Sequence, residues 1–93
     1  MLGEKLKPFE RQSSLLRLLV TLNYTGEINF QKLIDEYRFY PNPLYASVDK
    51  AKELGIIVVR KDSATYPPKN MISLTQKGKR VAELLKKIDD ALN

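Results

Sequence analysis

Between Asn42 and Gly78 the sequence changes from a helical pattern to a strand pattern and back again, and few folds accommodate that order in so short a chain. Asn42 is a good N-cap, and Pro43 suits the first helical position because it needs no amide partner there. Leu44, Val48 and Ala51 recur at i, i+4 and i+7, with Leu54 at the edge of the same stripe. Gly55 stands where a left-handed C-cap is wanted. Ile56, Ile57, Val58 and Val59 form a β-branched run that favours a strand. Arg60 and Lys61 open a loop that holds Pro67 and Pro68, residues excluded from a central strand. Met71, Ile72 and Leu74 resume a strand, and Thr75 can cap the next helix. Strands are expected over about 56–61 and 71–75, a helix over 43–54, and a final helix over 76–92.

This order resembles the winged helix-turn-helix domains of MarR-type and small archaeal transcription regulators. The likeness rests on Leu54-Gly55-Ile56-Ile57 after a helix and on Leu74-Thr75-Gln76-Lys77-Gly78 after a strand. It spans most of the chain and points to a superfamily. One stretch departs from the usual pattern: Arg38-Phe39-Tyr40-Pro41-Asn42-Pro43 is richer in aromatic residues and proline. The resemblance implies an α+β fold in which a three-helix core carries a small antiparallel sheet and a C-terminal helix. It also implies that the helix before Gly55 is the recognition helix and that residues 60–70 form the wing.

Ninety-three residues allow one domain, expected over 1–93, with residues 1–7 as a lead-in. A core of this size is modest, so a dimer interface would add stability. No run of about 18 apolar residues occurs, so no membrane span is expected. Met1-Leu2-Gly3-Glu4-Lys5 lacks a signal peptide's hydrophobic region, and a cytoplasmic location is the expectation. Cysteine and histidine are both absent, which removes thiolate ligands, disulfides and the commonest general base. There is no glycine-rich phosphate loop, no metal-ligand cluster and no triad spacing, so neither an enzyme nor a cofactor is expected.

The net charge is +5, and its placement matters more than its size. Residues 55–80 carry Arg60, Lys61, Lys69, Lys77, Lys79 and Arg80 against Asp62 alone, whereas residues 32–54 are neutral. Such a cluster is an electrostatic footprint for an anion, and a nucleic-acid backbone is the expected one. Its bland reading is a solvated, lysine-rich surface.

Upstream, Pro8 can begin a helix, or the regular helix begins after Ser13. Leu15, Leu16, Leu18, Leu19, Val20 and Leu22 are apolar almost all round, which suggests a central, buried helix ending near Tyr24, with Gly26 as the stop. Glu27-Ile28 fits one edge strand against the wing hairpin. Asn29 is the expected cap of a helix whose core stripe is Phe30, Leu33, Ile34 and Tyr37. Tyr37 and Phe39 fit core or rim equally well.

With Leu44, Val48 and Ala51 buried, the recognition helix turns Tyr45, Ala46, Asp49, Lys50 and Glu53 outward and leaves Ser47 and Lys52 on the flanks. Asn42, Tyr45, Ser47, Asp49 and Lys50 are therefore the candidate base or phosphate contacts. Arg60, Lys61, Tyr66, Lys69, Lys77, Lys79 and Arg80 are the candidate backbone contacts on the wing and the start of the last helix. Val81, Leu84, Leu85, Ile88 and Leu92 make an i, i+3, i+4 stripe on the final helix, the candidate homodimer interface. The leading expectation is a homodimeric regulator that binds double-stranded DNA. The alternatives are a winged-helix adaptor for other proteins, suggested by Tyr40, Tyr45 and Tyr66, and an architectural DNA-binding protein with little sequence preference.

Overall fold

The computed structural model describes residues 3–93. The chain runs α1 (Lys7–Arg11), α2 (Ser13–Thr25), β1 (Ile28–Asn29), α3 (Phe30–Asp35), α4 (Pro41–Glu53), β2 (Ile57–Asp62), β3 (Lys69–Leu74) and α5 (Gln76–Leu92). Of the 1–7 lead-in, Met1 and Leu2 lie outside the described residues, and α1 already begins at Lys7. Both helix starts open in the sequence are used: Pro8 lies in the first turn of α1, and extended backbone at Gln12 separates it from α2.

Leu15, Leu18, Leu19 and Leu22 of α2 are buried, but Leu16 and Val20 are about half exposed, so the helix is not covered all round. Helices α4 and α5 and strand β3 pack against parts of its surface and leave this strip open. Gly26, at φ 75°, ends α2 as expected. The three strands are antiparallel in the order β1-β3-β2, with Ile28 opposite Ile72 and Ile57 opposite Leu74. Asn29 caps α3 by accepting a bond from the Lys32 amide at 2.8 Å.

The turn between α3 and α4 resolves the ambiguous aromatics. Phe39 is buried and Tyr37 half-buried. The Arg17 guanidinium lies 4.1 Å from the centre of the Phe39 ring and donates to the Tyr37 carbonyl, which ties this turn to α2. Arg38 between them takes φ 62°.

Helix α4 starts two residues earlier than the sequence suggested. Pro41, not Pro43, takes the first helical position, Tyr40 is the N-cap, and Asn42 lies inside the first turn instead of capping it. Both prolines are tolerated because first-turn amides have no acceptor within the helix. The upstream proline presets the backbone, so the helix nucleates there. At the other end the amides of Gly55 and Ile56 bond to the carbonyls of Lys52 and Ala51 at 3.0 and 3.1 Å. This reverse-turn cap needs the left-handed Gly55, at φ 72°.

The hairpin strands reach further than expected, to the Asp62–Lys69 pair. Arg60, Lys61 and Lys69 are therefore strand residues, and only residues 63–68 form the tip. Thr75 joins the wing to α5: its hydroxyl donates to the Gly55 carbonyl at 2.8 Å and accepts from the Gly78 amide at 3.0 Å. The Thr75 amide bonds to the Ile56 carbonyl at 3.1 Å.

Candidate nucleic-acid interface

The outward stripe of α4 is Asn42, Tyr45, Ala46 and Asp49, spaced i, i+3, i+4 and i+7, opposite the buried Leu44, Ser47, Val48 and Ala51. The Tyr45 ring is held by Phe30, with ring centres 5.5 Å apart. Lys50 is half-buried, and its ammonium is engaged by Glu53 at 2.9 Å.

Ser47 corrects the sequence reading. It is fully buried. The Ser14 hydroxyl donates to the Pro43 carbonyl at 3.1 Å and stands 2.6 Å from the Ser47 hydroxyl. With the Ser14 proton committed to Pro43, Ser47 donates to Ser14. A helical wheel drawn on aliphatic residues alone puts Ser47 on the flank; the signal that could have placed it inside is Ser14, a small polar partner on the facing helix. Ser47→Ala is expected to lower stability by about 1 kcal/mol, the worth of one buried bond, and to leave discrimination between DNA sequences unchanged. A thermal melt together with competition binding checks both halves.

On the wing, Arg60 is also not free. Its guanidinium holds the Glu27 carboxylate as a fork, with Nε–Oε2 at 2.7 Å and Nη2–Oε1 at 2.5 Å. The pair spans β3, because Arg60 lies opposite Met71 on one side and Asn29 lies opposite Met71 on the other. The bond from Arg60 holds the Glu27 carboxyl below its ordinary value of 4.5. A carboxylate lowered in the folded state adds stability above that ordinary value, and this is lost as pH falls through the lowered one. The parent should therefore lose stability on acidification below about pH 4.5 slightly faster than Glu27→Gln does. Melting curves across pH 2–6 measure the difference.

Lys77 is likewise committed. Its ammonium donates to the Leu54 carbonyl at 2.9 Å, at the end of α4, where a cation is favoured. Lys61, Lys69, Lys79 and Arg80 are exposed, and among the described residues no salt bridge involves them. Tyr66 stands almost wholly exposed at the wing tip. The basic cluster of the sequence thus reduces to four uncommitted cations.

On α5, Val81 and Leu85 are half-buried against the core, whereas Leu84, Ile88 and Leu92 are 52%, 57% and 82% exposed. Leu85, Ile88 and Leu92 line one wall of a groove whose other wall is Leu16 and Val20 of α2. Sequence reasoning missed Leu16 and Val20 as part of this surface, because an all-round apolar helix reads as a buried one.

This arrangement is a winged helix-turn-helix: α2, α3 and α4 form the helical core, β2 and β3 the wing, and β1 closes the sheet. No family model matches the chain, and no curated protein matches it. Solved structures do. The chain is similar to a transcriptional regulator homologue from Pyrococcus horikoshii OT3, with TM-score 0.73 and 18% identity over 98% of this chain and 99% of that one. It is similar to Lactococcus lactis ZitR, with TM-score 0.75 and 17% identity over 94% of this chain and 65% of that one. It also resembles the transcriptional regulator SlyA, with TM-score 0.73 and 19% identity over 89% of this chain and 60% of that one. At these identities the likeness is one of fold. No helix among the described residues is long and apolar enough to cross a membrane.

Proposed function

We propose that the protein is a DNA-binding transcription regulator and not an enzyme. Helix α4 enters the major groove, and the wing and the start of α5 lie on the flanking backbone. The observation that carries this reading is the set of four uncommitted cations, Lys61, Lys69, Lys79 and Arg80, on the wing and helix start of a winged helix that leaves Asn42, Tyr45 and Asp49 of α4 exposed. The regulator names of the solved neighbours support it. Binding to random duplex DNA across a salt series tests it, because phosphate contacts make affinity fall with salt.

The working form in this proposal is a homodimer, with one α4 per half-site and the exposed α5 stripe facing a second copy. Apolar side chains left this open, on two adjoining helices, favour an interface. Sedimentation at micromolar concentration should give twice the chain mass of 10.7 kDa. A monomer at that concentration contradicts the dimer and leaves the DNA reading standing.

A second reading is favoured by Tyr40 and Tyr66, both largely exposed, and Tyr45, about half exposed. Tyrosine is enriched at protein interfaces, so an adaptor role is the outcome to expect if no duplex binds.

A further inference from the structure

If α4 is the reading element, as proposed above, its outward stripe also restricts which bases it can read. In the major groove, guanine is read chiefly by a forked arginine or by a lysine, adenine by the amide of asparagine or glutamine, and cytosine by a carboxylate. Thymine is read by apolar contact with its 5-methyl group. The base-contacting part of a recognition helix is its N-terminal half. In α4 the first nine of its 13 residues, Pro41 to Asp49, contain no arginine or lysine. The first cation, Lys50, is half-buried and paired with Glu53. Ser47, which could have bonded to any base, is fully buried.

What remains is an exposed amide, phenol ring and carboxylate, those of Asn42, Tyr45 and Asp49, with the half-buried methyl of Ala46 between them. Tyr45 is held against Phe30, so its ring presents a preset apolar face and loses little side-chain freedom on binding. Ala46 adjoins it on the same stripe. We propose that α4 reads an A·T core in each half-site, with Asn42 on adenine and the Tyr45 ring and Ala46 methyl on the 5-methyl groups of thymine, and that it makes no guanine contact. Asp49, one turn further on, accepts from a cytosine amino group at the edge of that core. The guanine paired to that cytosine is left unread.

The test is selection of duplexes from a random pool by the full-length chain. Selected thymines are then replaced one at a time by uracil, which removes only the 5-methyl. The selected half-sites should share an A·T core. Each contacted methyl should be worth roughly fourfold in affinity, the equivalent of about 0.8 kcal/mol per buried carbon. Asn42→Ala should reduce the preference for adenine at one position by about tenfold. Asn42 is exposed in the first turn and caps nothing, so this variant should fold like the parent. A selected core with fixed guanines, or uracil duplexes bound as tightly as thymine duplexes, overturns this inference with DNA binding intact. Binding without sequence preference overturns it as well. Failure to bind any duplex at low salt overturns the DNA reading itself.

Discussion

Gly78→Ala is expected to destabilise the protein by about 3 kcal/mol, the upper part of the range for overpacking, and to lower its melting temperature by roughly 15 °C. Gly78 is buried in the first turn of α5. A Cβ there would lie 1.9 Å from the Ile56 carbonyl oxygen, 2.9 Å from its carbon and 3.2 Å from Leu74 Cδ2. The close neighbour is backbone, and that backbone is itself fixed. Ile56 follows the Gly55 cap, and its carbonyl accepts the Thr75 amide. To make room, α5 must move off the sheet or the end of α4 must come apart. Helix propensity alone predicts the opposite sign, a gain of about 1 kcal/mol for alanine over glycine. The direction of the melting shift therefore decides between the two effects, and a rise would show that the joint yields cheaply.

The second large effect concerns DNA. Lys61→Ala with Lys69→Ala should weaken binding to every sequence by about an order of magnitude per phosphate contact near 0.1 M salt, and should flatten the log–log salt slope by about 1.8. Arg60→Ala should do less, although the sequence ranks it beside them. Its guanidinium fork is already filled by Glu27, and a phosphate must displace that carboxylate to use it. Filter binding at four or five salt concentrations separates these variants. Equal slopes for the parent and the double variant would mean that the wing lysines are only solvated surface.

Elements marked by backbone chemistry were legible in the sequence. Gly26 and Gly55 stop helices, Asn29 and Thr75 cap them, and the β-branched run joins the sheet from Ile57, one residue later than expected, because each of these preferences acts locally. The start of α4 was misplaced by two residues. Asn42 is a stronger capping type than Tyr40, but Pro41 settles the first position. The interface was harder to read, since charge along a chain does not show which charges are committed. Glu27 and Arg60 are 33 residues apart, and so are Ser14 and Ser47. Only the β1-β3-β2 order and the packing of α2 on α4 bring these pairs together. The exposed side of α2 was hidden for a similar reason. Leu16 and Val20 look like core until the partners of α2 are known to cover only part of its surface.

In the proposed function, four uncommitted cations on a winged helix grip a nucleic-acid backbone. The affinity for random-sequence duplex DNA, measured from about 50 to 300 mM salt, tests it most directly. Lys61, Lys69, Lys79 and Arg80, at about 0.9 each, predict a log–log slope near −3.6 per protomer. No binding at 50 mM, or an affinity that stays flat across the series, would contradict the account.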